Sequence, residues 1–196
     1  MHLKGTFHNI QWGSIEASTR IFSSVLTGIV VAKYLGPTEF GTYVLVISYF
    51  GIFGGIASLG MDQVLLKRWS DSAQYDSVEV LGNALLARMI VSFSLIIPFI
   101  VFIYSAIHTL EILLVTVLGL FSQILFSISI LKNYFIANMK GSIPAKVSLI
   151  SISCGMIGKI TGILFQLPLE FFILMMALEI GLNGLLFLLF FLKSSI

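Results

Sequence analysis

The chain has 196 residues, of which 58% are hydrophobic and only 10% charged, with a mean hydropathy of +1.05. A soluble domain carries roughly 25% charged residues and would be left with large sticky patches by this composition, whereas a bilayer solvates such a chain directly. The formal net charge of +2 says little about partners, and no nucleic acid is expected among them.

Residues 1–13 hold one early lysine, Lys4, and lack the short apolar core and small-residue cleavage site of a secretory signal, so the N-terminus reads as uncleaved. With Phe7 and Trp12 it suits a flat position at the membrane interface. Six apolar stretches follow, at 14–33, 40–60, 80–105, 110–131, 143–165 and 168–192, each near the 20 or so residues that a bilayer demands of a helix. They do not alternate as barrel strands do, so helices are the way to satisfy the backbone in lipid. The expectation is an all-α membrane protein of six transmembrane helices spanning 14–192, with a tail at 193–196.

The stretch VAKYLGPTEFGTY at 31–43 specifies the first hairpin by local chemistry. Lys33 and Tyr34 suit a helix end at the headgroup layer, and Gly36 can adopt the positive φ that ends a helix. Pro37 suits a first helical position, where no donor is lost, and Glu39 complements the dipole of the first turn. Farther on, Pro98 falls mid-span and removes an internal hydrogen bond. Small residues recur every four positions at Ser24, Gly28 and Ala32, at Gly51 and Gly55, and at Cys154, Gly158 and Gly162, as in closely packed membrane helices.

Lysine and arginine in short loops set orientation. Lys4, Lys67, Arg68, Lys132, Lys140, Lys146 and Lys193 fall on one side and only Lys33 on the other, which places both termini in the cytoplasm. The charged connector at 61–79, with Asp62, Asp71, Asp76 and Glu79, is expected along the membrane surface.

Soluble-type catalytic and phosphate-binding motifs are absent, and His2, His8 and His108 fall outside the spans, so no enzyme, metal or cofactor is expected. The chemistry lies in five ionisable residues within spans: Glu16, Arg20, Arg88, Lys159 and Glu179. Each costs about 2.5–3.5 kcal/mol on insertion scales, which makes it a candidate functional group. Glu16 and Arg20 lie one turn apart and can neutralise each other, with Arg88 joining or competing for Glu16. Lys159 and Glu179 either pair or each face an aqueous cavity. Three cations against two carboxylates would make an interior cavity net basic, suited to an anionic, phosphate-bearing cargo.

The WxxxExxxR of Trp12, Glu16 and Arg20, the 31–43 hairpin, SLGMDQVLLKR, the ALLARMI around Arg88 and KNYFIANMKGSIPAKVSLIS together resemble the N-terminal half of polysaccharide transporters, specifically Wzx-type O-antigen flippases of the multidrug/oligosaccharidyl-lipid/polysaccharide exporter superfamily. The resemblance covers 12–191, with Lys33 where an arginine is more usual. It implies one lobe of a two-lobe exporter in the bacterial inner membrane, moving undecaprenyl-diphosphate-linked oligosaccharide, an O-antigen or capsule repeat unit, between leaflets. Arg20, Arg88 and Lys159 would be the substrate-binding cations, with Glu16 and Glu179 as their charge partners. Since such transporters rock two lobes about a site between them, the chain is expected to be a truncated or split half-transporter. A second lobe and other polysaccharide assembly proteins would be its partners. The alternatives are a cation-coupled small-molecule or drug antiporter of the same superfamily and a non-transporting membrane scaffold subunit.

Overall fold

The computed structural model describes residues 2–58, 60–65, 77–107, 109–138 and 140–195, with only the backbone course given for 2–6, 8, 77–79, 106, 194 and 195. Lys67, Arg68, Asp71, Asp76 and His108 lie outside the described residues, as do the side chains of His2, Lys4, His8 and Glu79. The described chain is helical and contains no strand: α1 (His2–Ser58), α2 (Ser77–Ala106), α3 (Leu110–Ser127), a 3₁₀ turn (Ile128–Ile130), α4 (Leu131–Ala137), α5 (Ser142–Leu164) and α6 (Leu169–Ser195). Five helices among the described residues are long and apolar enough to cross a membrane.

The sequence reading divides the N-terminal third into two spans; in the structure these residues form one element, α1, which breaks at Gly36. Gly36 has φ 74° and ψ 175°, a region essentially restricted to glycine, and not the left-handed helical well. Pro37 follows at the first turn beyond the break, where its missing N–H costs nothing. Residues from both sides of Gly36, among them Thr27 and Tyr43, line one cavity, so the chain doubles back there. The helix starts at His2, so residues 2–13 continue directly into the first apolar run. They are tied to the bundle by Asn9, whose amide donates to the Ile136 carbonyl (3.1 Å) and accepts from the Gly141 N–H (2.8 Å).

Two apolar clusters form the ends of the bundle. One gathers Val31, Tyr43, Phe50, Phe53, Phe99, Ile103, Leu169 and Phe172 around the Gly36 and α5–α6 turns. The other gathers Leu65, Leu81, Ile130, Phe135, Val147 and Phe187 at the opposite end. The Tyr34 hydroxyl donates to the Leu167 carbonyl (3.0 Å) and its ring tilts against Phe172, pinning the first turn to the α5–α6 turn. That second turn stops α5 with Gln166 at φ 51° and a hydrogen bond from the Leu167 N–H to the Gly162 carbonyl (2.9 Å), and Pro168 prevents continuation. Elsewhere large apolar residues such as Ile97, Leu118, Ile157 and Leu189 stay exposed, as expected where lipid is the solvent.

The most extensive helix contact joins α3 to α6. A Cβ on Gly184 would collide with the backbone carbonyl of Leu125, so glycine is what lets these two backbones approach. On α5 the close-packed face is Gly155, Gly158 and Gly162, set against Glu179, Met175 and Phe171 of α6. Cys154, the first member of the four-residue series in the sequence, is instead exposed. Gly28, Gly51 and Gly55 have open space where a Cβ would point, so those two series do not form tight helix contacts. Helix α2 continues through Pro98 as a single helix.

Candidate functional site

Among the described residues, the ion-paired side chains of the helices form three groups. In the first, Glu16 is 6% exposed, and a single oxygen, Oε1, accepts from Arg20 Nη2 (3.0 Å), Lys132 Nζ (3.0 Å) and Ser148 Oγ (2.8 Å). The i, i+4 spacing on α1 brings Glu16 and Arg20 together, while α4 and α5 supply Lys132 and Ser148. Arg20 Nη2 also reaches Ser148 Oγ at 3.3 Å.

The second group is the pair of Lys159 on α5 and Glu179 on α6, with Nζ 2.9 Å from Oε2. Gly155 lies one turn before Lys159, and a Cβ there would run into the Glu179 carboxylate. The missing side chain thus makes room for the acid to reach the amine. The Tyr43 phenol, from the other side of the Gly36 break, lies within electrostatic reach of both.

These two groups bound one cavity of about 260 Å³ lined by Arg20, Ser23, Thr27, Tyr43, Lys159 and Glu179 among others. Ser148 and Lys159 are three turns apart on one face of α5, so the polar strip runs about 16 Å along the helix at 1.5 Å per residue. Arg20 belongs to both ends, since it bonds to Glu16 and lines the cavity.

Arg88 forms the third group and stands apart. It is 3% exposed on α2, with Nη1 3.4 Å from Asp62 Oδ1 and its guanidinium 6.0 Å from the Phe126 ring centroid. Asp62 is held in turn by Asn133 Nδ2 at 2.7 Å. Beside it runs a buried relay: Ser92 and Ser127 share a 2.7 Å hydrogen bond, so one of them at a time donates to its own helix, Ser92 to the Arg88 carbonyl or Ser127 to the Gln123 carbonyl, and the Gln123 amide donates to the Phe50 carbonyl. The sequence reading offers Arg88 to Glu16, but the structure gives Glu16 to Lys132 and Arg88 to Asp62.

Of the five residues selected from the sequence, Arg20, Glu16, Lys159 and Glu179 therefore fall along one strip, and Arg88 does not line the cavity. Along the strip stand three cations, Arg20, Lys132 and Lys159, against two carboxylates, Glu16 and Glu179, with Lys132 in the place the sequence reading gives to Arg88. Sequence alone placed Lys132 among the loop charges, and its pairing across 116 residues leaves no local pattern to read.

The length and apolarity of the helices make this a multi-pass membrane protein. No family model, curated protein or solved structure matches the chain.

Proposed function

We propose that the chain is one lobe of a transporter that moves an anionic, lipid-linked oligosaccharide across a bacterial inner membrane. The observation that carries this reading is a cavity inside an apolar bundle lined by two cations, Arg20 and Lys159, and one carboxylate, Glu179. Buried cations cost insertion energy and find a use where an anion must be held away from water. In this reading the Gly36 break divides α1 into two spans, six in all, with both termini in the cytoplasm as the lysine and arginine asymmetry requires. The diphosphate of an undecaprenyl-linked repeat unit is the cargo group the cations accept. Alternating access needs a second lobe, and the protein acts as a transporter, not an enzyme.

The test is reconstitution of the chain, joined to a second six-helix lobe, in liposomes carrying undecaprenyl-diphosphate-linked oligosaccharide. Leaflet exchange is read by lectin capture at the outer face. Exchange should exceed that of protein-free liposomes and fall about tenfold in Arg20→Gln or Lys159→Gln, each of which removes one charge-assisted contact. Exchange equal to the protein-free rate, or unaffected by both substitutions, would overturn the reading.

Glu179 favours one second reading, a cation-coupled small-molecule antiporter, because its carboxylate faces the same cavity. Proton- or sodium-driven drug efflux lost in Glu179→Gln, without glycan-lipid exchange, would establish that alternative.

A further inference from the structure

The Glu16 group has more donors than its acceptor can use. One carboxylate oxygen offers two lone-pair directions, yet Arg20, Lys132 and Ser148 all converge on Oε1. Two cations face one carboxylate, so the group keeps a surplus positive charge. The carboxylate is buried, but the side chains of Arg20 and Lys132 are 55% and 37% exposed. Their nitrogens, each 3.0 Å from the same oxygen, lie close enough together for one phosphate group to bridge them, with the Ser148 hydroxyl as a third donor.

We propose that Arg20, Lys132 and Ser148 form a phosphate-binding site, distinct from the Lys159–Glu179 end of the cavity, and that Glu16 occupies it as an internal substitute anion until a phosphate monoester or diphosphate displaces it. Glu16 holds the two cations at the right separation while the site is empty, and so limits affinity as well as building the geometry. Arg20 swings from the carboxylate to the incoming phosphate, while Lys132 stays at the rim. Because Arg20 also lines the cavity, an anion captured here already touches a cavity residue. The site goes beyond the proposed transport and shares only Arg20 with it.

The proposal makes an unusual demand: neutralising Glu16 must strengthen anion binding. The full chain in detergent is mixed with dilauroyl phosphatidic acid or phosphatidylcholine, and bound lipid is counted by native mass spectrometry. Phosphatidic acid should be retained in preference to phosphatidylcholine. Its affinity should rise about three- to tenfold in Glu16→Gln and fall about tenfold in Lys132→Gln. A competition arm with sodium phosphate separates the two sources of the group. Displacement at millimolar phosphate supports a site for the free anion, and resistance supports a site for a lipid headgroup. Unchanged or weakened binding in Glu16→Gln at an undiminished melting temperature would overturn the site. If that variant does not fold, Lys132→Gln, altered at a side chain over a third exposed, decides, and full binding in it overturns the site. Loss of liposome exchange with phosphatidic acid binding intact would sink the transport reading and leave this site standing. The reverse result would sink this site alone.

Discussion

Arg20 and Arg88 are the same residue type inside apolar helices, yet their surroundings differ in exposure and in the number of partners. Arg20 has a side chain 55% exposed and shares its carboxylate with a lysine and a serine, whereas Arg88 is enclosed, with Asp62 as its one ion-pair partner among the described residues. An arginine with spare exposure and a shared partner is free to engage a ligand. One that is sealed in, with a single counter-charge and a buried hydroxyl relay beside it, holds helices together. Position within a span is thus a poor guide to use, and the number of partners is a better one.

The largest effect should come from the sealed side. Asp62→Ala leaves the Arg88 charge buried without a carboxylate, and we expect a loss of about 3 kcal/mol in stability, read by thermal unfolding in detergent. A change below about 0.5 kcal/mol would show that Arg88 is solvated and erase its contrast with Arg20. Next, Gly184→Ala forces a Cβ onto the Leu125 carbonyl and should cost about 1–3 kcal/mol through separation of α3 from α6. A cysteine crosslink between the two helices would report the separation as a lower yield. Gly155→Ala should push Glu179 away from Lys159, costing about 1–2 kcal/mol in the same thermal unfolding. Arg20→Gln is the smallest in stability, at most about 1 kcal/mol, because Lys132 and Ser148 still satisfy Glu16. In the proposed reading its effect falls on liposome exchange, and a stability loss matching that of Asp62→Ala would collapse the comparison.

Much of the fold is legible because apolar runs in lipid leave the backbone few choices, and because Gly36 and Pro37 carry their instruction locally. The α5–α6 turn is written almost as plainly, with Pro168 just after the positive-φ Gln166. The i, i+4 link of Glu16 to Arg20 was readable for the same reason. What escaped were relations fixed by helix packing: Lys132 reaching Glu16, Asp62 claiming Arg88, and Gly155 yielding its side-chain volume to Glu179. The glycine face of α5 shows how fine the margin is. Gly158 and Gly162 of the series do make the contact, but its first member is Gly155 and not Cys154, one residue or about 100° of rotation away around the helix.

The glycine-mediated contact of α3 with α6 also bears on how the protein is made. Synthesis runs from the N-terminus, so α3 enters the bilayer while its most extensive neighbour is still two helices away from the ribosome exit. Until α6 arrives, the Leu125 backbone meets lipid where Gly184 will later press against it. A chain ending at Phe165 and released from the ribosome would carry every member of the Glu16 group and the Lys159 amine without its carboxylate. The two ends of the polar strip are therefore assembled at different moments, the rim first and the inner pair only when the bundle closes.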